Sequence, residues 1–307
     1  MAIVEKASKI WLDGTLRPWD EAQVHILTHT LHYGLGAFEG IRCYKGKDRS
    51  YVFRLKEHID RLFASAQMVL MDMPYTREQV MQACLDTLKA NGQVEAYLRP
   101  LAFMGAGEMG VGSMSNPTRV SIITWYWGPY LGKEGVEKGI RCKVSSFRRM
   151  SNHGFLAKGK ICGQYVNSIL AKREALISGF NEAIMLDDDG FVAEATGENI
   201  FVVKNGKIRT PPYGAAILGG ITRDTVIQLA KDLGLTVEET RFSREELYTA
   251  DEVFLCGTAA EITPVRDVDG RTVGSGTPGP VVTKIRETYM QVVRGERPEY
   301  ERWLAPL

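Results

Sequence analysis

The dipeptide Asn205-Gly206 stands between two short runs, Asn199 to Val203 and Lys207 to Thr210, that are rich in β-branched and apolar residues. Both residues tolerate positive φ, as a two-residue type I′ turn demands, so the pattern predicts a tight antiparallel hairpin. Asp13-Gly14 repeats the signal after Lys9-Ile10-Trp11-Leu12, and Lys45-Gly46-Lys47 joins Gly36–Tyr44 to Ser50–Arg54. Asp187-Asp188-Asp189-Gly190 separates Glu182–Leu186 from Phe191–Ala195. Further strands are expected at Glu95–Phe103, Thr118–Trp125 and Ile140–Ser145.

Helical patterns lie between these hairpins. Ile59, Leu62, Phe63, Ala66 and Leu70 make a stripe over Lys56–Leu70. Thr76 opens a second helix with Glu78 and Gln79 in its first turn. Others are expected over Gln164–Ser178, over Arg223–Leu233 with Gly234 as its stop, and over Pro280–Val293. The fold class is therefore α/β (α+β).

A length of 307 residues points to two domains. The run GPYLGKEG at 128–135 has the composition of a linker. The expected division is a small N-terminal α+β domain at 1–128, an interdomain loop at 129–136 and a larger C-terminal domain at 137–307. With 38 basic against 37 acidic residues the net charge is +1, which gives no electrostatic reason for nucleic acid or an anionic membrane as partner. The first residues alternate in charge where a signal peptide needs an apolar run, and no stretch is long and apolar enough to span a bilayer. Five well-separated cysteines without a CxxC pair read as free thiols in a reducing cytoplasm. Five histidines form no HExxH-type array, so no metal site is expected.

Gly105-Ala106-Gly107-Glu108-Met109-Gly110 satisfies GxGxxG, but a dinucleotide site needs a helix to follow at once. Val-Gly-Ser-Met-Ser-Asn-Pro follows instead, and the motif reads as a glycine loop. Three other segments concentrate polar and glycine residues in apolar surroundings. They are Ala157–Tyr165 with Lys158 and Lys160, Glu194–Asn199, and Leu218–Asp224 running into a helix. Together they match the needs of pyridoxal 5′-phosphate: an amine for the aldehyde, a carboxylate for the ring nitrogen, a donor for the phenolate and a helix N-terminus for the phosphate.

The stretches HYGLGAFEGIRCY (32–44), VFRLKEHIDRL (52–62), AYLRPL (96–101), GEMGVG (107–112), EATGENIF (194–201), GITRD (220–224) and GTAAEITPV (257–265) make the likeness specific. In this order, from Ile10 to Val282, the chain resembles the fold-type IV pyridoxal-phosphate enzymes, and within them the branched-chain aminotransferases. The resemblance implies the two-domain architecture of D-amino acid aminotransferase-like proteins. It also implies ping-pong transamination of leucine, isoleucine or valine with 2-oxoglutarate. By resemblance Lys160, five residues before Tyr165, is the Schiff-base lysine, Tyr165 the phenolate donor and Glu194 the partner of the ring nitrogen. Arg61, Ile221, Thr222 and Thr258 resemble the phosphate ligands, and Leu218 packs on the ring. Periodicity alone puts Arg61 off the apolar stripe, as a solvated side chain.

Tyr33, Phe38, Tyr97, Val111, Trp127 and Tyr130 resemble residues lining the family's side-chain pocket, and Thr258 and Ala259 resemble its α-carboxylate donors. Arg99 resembles the arginine for the second carboxylate of glutamate. It sits in an apolar strand, where an unpaired charge is costly. D-amino acid and (R)-amine transaminases and aminodeoxychorismate lyase share the scaffold, but YLRP with Arg99 and GEMGVG point to the branched-chain group. Gly219-Gly220 stands where many relatives have Pro-Gly, implying a looser loop. Relatives form homodimers or homohexamers, often with residues such as Tyr33 entering a neighbour's site.

Overall fold

The computed structural model describes residues 4–128 and 131–307, and these group into two compact units. The first comprises 1–127, 159–164 and 291–307; the second comprises 128–158 and 165–290.

In the first unit β1 (Lys9–Leu12) and β2 (Thr15–Pro18) pair across Asp13-Gly14, whose φ angles of 48° and 89° are those the hairpin reading requires. A single turn of helix, α1 (His29–Tyr33), leads to β3 (Gly36–Phe38), β4 (Ile41–Lys45) and β5 (Ser50–Phe53). The continuous strand expected over Gly36–Tyr44 is thus broken at Glu39-Gly40. Two helices follow, α2 (Leu55–Met68) and α3 (Arg77–Ala90), then the long strands β6 (Ala96–Met104) and β7 (Thr118–Trp125). The α2 stripe of Leu55, Ile59, Leu62 and Ala66 joins Val80, Ala83, Cys84 and Leu88 of α3 over the sheet in one buried cluster. Thr76 caps α3 with a reciprocal capping box: its hydroxyl accepts from the Gln79 N–H, and the Gln79 amide oxygen accepts from the Thr76 N–H at 2.8 Å.

The second unit opens with α4 (Lys133–Lys138) and β8 (Ile140–Val144). The helix corrects the loop reading of 129–136 at residues 133–136; residues 129 and 130 lie outside the described residues. Glu134 and Lys138 lie one turn apart at 3.2 Å, a pairing that supports a turn of helix despite the flanking glycines. Next come α5 (Tyr165–Ile177), β9 (Glu182–Leu186), β10 (Val192–Ala195), β11 (Asn199–Lys204) and β12 (Lys207–Thr210). Asn205 and Gly206 have φ of 50° and 73°, and β11 and β12 pair antiparallel across them. Then follow α6 (Ile221–Asp232), β13 (Thr236–Glu239), α7 (Arg244–Tyr248), β14 (Glu252–Gly257), β15 (Glu261–Val268), β16 (Arg271–Thr272) and α8 (Pro280–Val293). The strand order is β10-β9-β8-β15-β14-β11-β12-β13, with β16 on β15. Pairs β8–β9, β8–β15 and β12–β13 are parallel, so this sheet is mixed.

Beyond α8 the chain returns to the first unit as β17 (Leu304–Pro306), which pairs antiparallel with β5. That completes the order β17-β5-β4-β6-β7-β1-β2, with β3 also on β6. The units therefore depart from a cut by chain order in two segments. The C-terminal residues follow β17, and residues 159–164 follow Ile161, which bridges to Ala37 and joins the first unit's core. The described cysteines are free, with Cys43, Cys84, Cys142 and Cys256 buried. Among the described residues no helix is long and apolar enough to cross a membrane.

The cap on α3 lies away from the residues singled out for chemistry. Thr76→Ala is expected to lower the unfolding free energy by about 1 kcal/mol, read as a lower urea midpoint at unchanged turnover.

Candidate active site

Lys160 is fixed first through its backbone. Its N–H donates to the Ser65 hydroxyl of α2 at 2.9 Å, and its carbonyl accepts from the Phe38 N–H of β3 at 3.1 Å. Three residues on, the Gly163 N–H reaches the Gly34 carbonyl at 3.0 Å. The segment 160–163 is thus laced to the chain around β3. The Lys160 ammonium lies 4.9 Å from the centre of the Phe38 ring.

The same face of α2 carries His58 and Arg61, seven and four residues before Ser65. Both meet Glu39, which the break between β3 and β4 turns fully inward. Arg61 grips it through Nε at 2.6 Å and Nη2 at 2.9 Å, and His58 Nδ1 lies 2.7 Å from the carboxylate. Burial alone would raise the Glu39 carboxyl, but the charge of Arg61 and the His58 contact overcome it and hold the group well below the usual range. His58 is pushed down, chiefly by burial. The structure corrects the periodicity reading of Arg61 as solvated: its side chain is only 14% exposed, because Glu39 supplies the charge that lets it be buried. Gly40 completes the arrangement, since a Cβ there would fall 1.8 Å from the Tyr97 hydroxyl.

On β6, Arg99 is enclosed by rings. Its guanidinium carbon lies 4.6 Å from the Phe38 centroid, 5.4 Å from Tyr97 and 5.7 Å from Trp125. One bond to the Tyr97 hydroxyl is long at 3.3 Å, and the buried Nε has no partner. Trp127 stands edge-on to Tyr97 at 4.7 Å, with its carbonyl accepting from Arg42 at 2.9 Å. The structure thus brings Phe38, Tyr97, Arg99 and Trp127 together in one aromatic cluster around a cation. Tyr33 on α1 and Val111 in the glycine loop are exposed instead, and no helix follows that loop. Tyr130 lies outside the described residues.

The second unit carries the remaining candidates. Glu194 on β10 forms an ion pair with Arg149 at 2.7 Å and accepts from the Asn199 amide at 3.1 Å and the Leu218 N–H at 3.0 Å. Asn199 also donates to the Leu218 carbonyl at 3.0 Å, so Leu218 is held at both backbone groups. Gly220 is the N-cap of α6 and supplies no side chain. A Cβ there would be 1.9 Å from the Asn199 amide oxygen, so the helix begins on bare backbone with Ile221 and buried Thr222 in its first turn. Thr258 and Ala259 form the turn between β14 and β15, and Tyr165 opens α5.

Lys158, the other amine of its segment, donates to the carbonyls of Ala215 at 2.9 Å and Ile217 at 2.8 Å and lies 4.5 Å from the Tyr213 ring centre. Burial lowers its pKa against the opposing charge of Glu194. It is committed to the loop that carries Leu218.

Sequence reasoning passed over Glu39, His58, Arg149 and Asn199. A glutamate within Ala37-Phe38-Glu39-Gly40-Ile41 is a charge among apolar neighbours and signals a buried partner. Arg149, in the irregular stretch Phe147-Arg148-Arg149-Met150, carries no local signal at all.

The sequence pattern of the amino-transferase class IV family matches residues 36–268. The branched-chain-amino-acid aminotransferase of Pseudomonas aeruginosa is 43% identical over 303 residues, 99% of this chain and 98% of that protein. Among solved structures, the branched-chain aminotransferase of the thermophilic archaeon Thermoproteus uzoniensis with norvaline is 43% identical. Its TM-score is 0.93, over 98% of this chain and 99% of that one. The branched-chain amino acid aminotransferase of Thermobaculum terrenum, solved in its PLP-bound holo-form, is 36% identical with a TM-score of 0.91 over 98% of each chain.

The Glu39 network has a defined pH signature. A carboxyl depressed by folding contributes stability that is fully present above its ordinary value of 4.5 and is lost as pH falls toward the lowered one. Glu39→Gln, which leaves Arg61 short of its counter-charge, is expected to cost about 3–5 kcal/mol at neutral pH. The gap between wild-type and variant urea midpoints should narrow once pH drops below 4.5.

Proposed function

The chain belongs to the class IV amino-transferase family, and on that premise we propose that it transfers the amino group of leucine, isoleucine or valine to 2-oxoglutarate, using pyridoxal 5′-phosphate and releasing branched-chain 2-oxo acids and L-glutamate in ping-pong order. Bound pyridoxal phosphate supplies an electron sink that acidifies the Cα–H bond of the amino acid. Lys160 would hold the cofactor through its side-chain amine and, when free of it, would take the proton from the substrate Cα as base and give it back as acid. Glu194 keeps the ring nitrogen protonated, Tyr165 donates to the phenolate oxygen and Leu218 covers the ring. Arg61, Ile221, Thr222 and Thr258 take the phosphate.

The residues fit these tasks. Of the two neighbouring lysines, Lys158 is committed to two carbonyls, which favours Lys160 as the reactive amine. Glu194 is oriented by three separate groups, as a carboxylate needs to be if it is to meet one ring atom. The α6 N-terminus, begun by a glycine, suits a phosphate.

The observation that carries the substrate reading is the Arg99 guanidinium, ringed by Phe38, Tyr97 and Trp125, with a buried Nε that lacks a partner. Apolar rings suit a branched aliphatic side chain, and a guanidinium whose Nε lacks a partner suits the second carboxylate of glutamate or 2-oxoglutarate. One pocket then serves both halves of the exchange. Tyr33, Val111, Trp127 and Tyr130 complete the side-chain contacts, and Thr258 and Ala259 hold the α-carboxylate.

The proposal includes a cytoplasmic homo-oligomer, a dimer or hexamer. Support comes from apolar side chains exposed at the surface: Leu31 at 59% on α1, Val111 at 89% in the glycine loop, and Val166 at 60% and Ile177 at 89% on α5. Tyr33 and Val111 then serve a neighbouring copy's site.

Three measurements test the reading. The purified protein should show the visible absorbance of bound cofactor, lose it with L-leucine and regain it with 2-oxoglutarate. Lys160→Ala should show neither the exchange nor turnover, and normal turnover by that variant would overturn the assignment. Arg99→Met should weaken 2-oxoglutarate about 10- to 100-fold in KM, the worth of a charged hydrogen bond, while the leucine half-reaction changes far less. Equal losses in both halves would remove Arg99 from the carboxylate role.

A further inference from the structure

One residue holds both ends of the glycine loop. The backbone N–H of His29 donates to the Gly105 carbonyl at 3.1 Å, and its ring Nε2 lies 2.9 Å from the Gly110 carbonyl. A carbonyl only accepts, so Nε2 carries the hydrogen, and Nδ1 is left buried without a partner. The residue is 3% exposed and its ring packs against Tyr33, with centroids 4.6 Å apart at 42°. Inside the loop Asn116 fixes Glu108 at both backbone groups, at 2.7 Å and 2.9 Å. Beyond that point the backbone is poorly confined: Gly110 has φ 109°, and a Cβ at Gly110 or Gly112 would meet nothing within 4 Å. The His29–Gly110 bond is the side-chain tie next to Val111, and the same ring supports Tyr33.

We propose that His29 is a positioning residue for substrate selection, fixing Val111 through the Gly110 carbonyl and Tyr33 through ring packing. This rests on the reading above, in which those two residues meet the apolar side chain of an amino acid. The glycine run 105–112 gives the loop many backbone conformations, and the 2.9 Å bond from His29, much shorter than the 3.5 Å contact of the Ser113 N–H with the same carbonyl, selects one of them next to Val111. His29 touches no reacting atom, so its removal should act on amino-acid binding and loop order and leave the cofactor untouched.

The test compares His29→Phe, which keeps a ring beside Tyr33 but has no donor, with His29→Gln, whose amide nitrogen reaches about as far as Nε2. Hydrogen exchange over residues 106–114 is followed in the cofactor-free protein, and KM and kcat for L-leucine in the holoenzyme. His29→Phe should speed exchange in that segment and raise the leucine KM, each about tenfold for one lost buried bond, with kcat and the cofactor's absorbance unchanged. His29→Gln should restore both. Wild-type exchange and KM in His29→Phe, or no recovery in His29→Gln, would overturn the proposal. If the phenylalanine variant does not fold, His29→Asn, whose amide is too short to reach Gly110, takes its place with the same expectation. A wild-type protein that ignores leucine would overturn the functional reading, while the exchange measurement would still decide whether His29 holds the loop.

Discussion

A fully buried carboxylate organises the first unit. Glu39 has no access to water, and an ionised group in that position is tolerable only with its charge matched and its oxygens bonded. The strand that would run from Gly36 to Tyr44 breaks there so that the side chain can turn inward, and α2 meets it with His58 and Arg61. One more step along that helix face stands Ser65, which holds the Lys160 N–H. The helix that neutralises the carboxylate therefore also fixes the height and direction of the proposed reactive lysine. Gly40 and Tyr97 lock the other side of the break, which places the aromatic wall around Arg99.

The second unit solves its problem with hydrogen bonds to backbone. The loop from Tyr213 to Gly220 has little regular structure, yet its carbonyls and amides are taken up by Lys158, Asn199 and Glu194. A loop fixed at so many atoms keeps Leu218 in place without a helix or strand to carry it. Gly219-Gly220, where relatives have Pro-Gly, sits at the end of this tied segment. The space at both positions is already filled, by the Tyr213 ring and by the Asn199 amide.

Local physics was legible in the sequence wherever a short stretch settles its own conformation. The turns at Asp13-Gly14 and Asn205-Gly206, the cap at Thr76 and the helix over Pro280–Val293 stand where the pattern put them. So did the absence of a helix after the GxGxxG loop, since its continuation could not start one. What escaped depends on distant partners. Arg61 looked solvated because Glu39, 22 residues earlier, is invisible to helical periodicity. The helix Lys133–Lys138 was hidden by its flanking glycines, and the first unit's claim on 159–164 rests on the bridge from Ile161 to Ala37 and on bonds to Gly34, Phe38 and Ser65, all distant in sequence. The grouping of motifs along the chain identified the kind of site, but not the hydrogen bonds that orient it.

Neither unit is a continuous piece of chain, and this bears on how the protein can be made. The edge of the first sheet at β5 is closed by β17, which arrives only after the whole second unit has been synthesised. Until then Tyr51, Val52 and Phe53 present an open edge, the kind of surface that pairs with other chains. Splitting the gene at residue 128 would give a first fragment lacking both this strand and the Lys160 segment. Circular permutation, with new termini in a surface turn such as Asp188–Gly190, would carry β17 into synthesis ahead of β5 and shorten the time that edge stands uncovered.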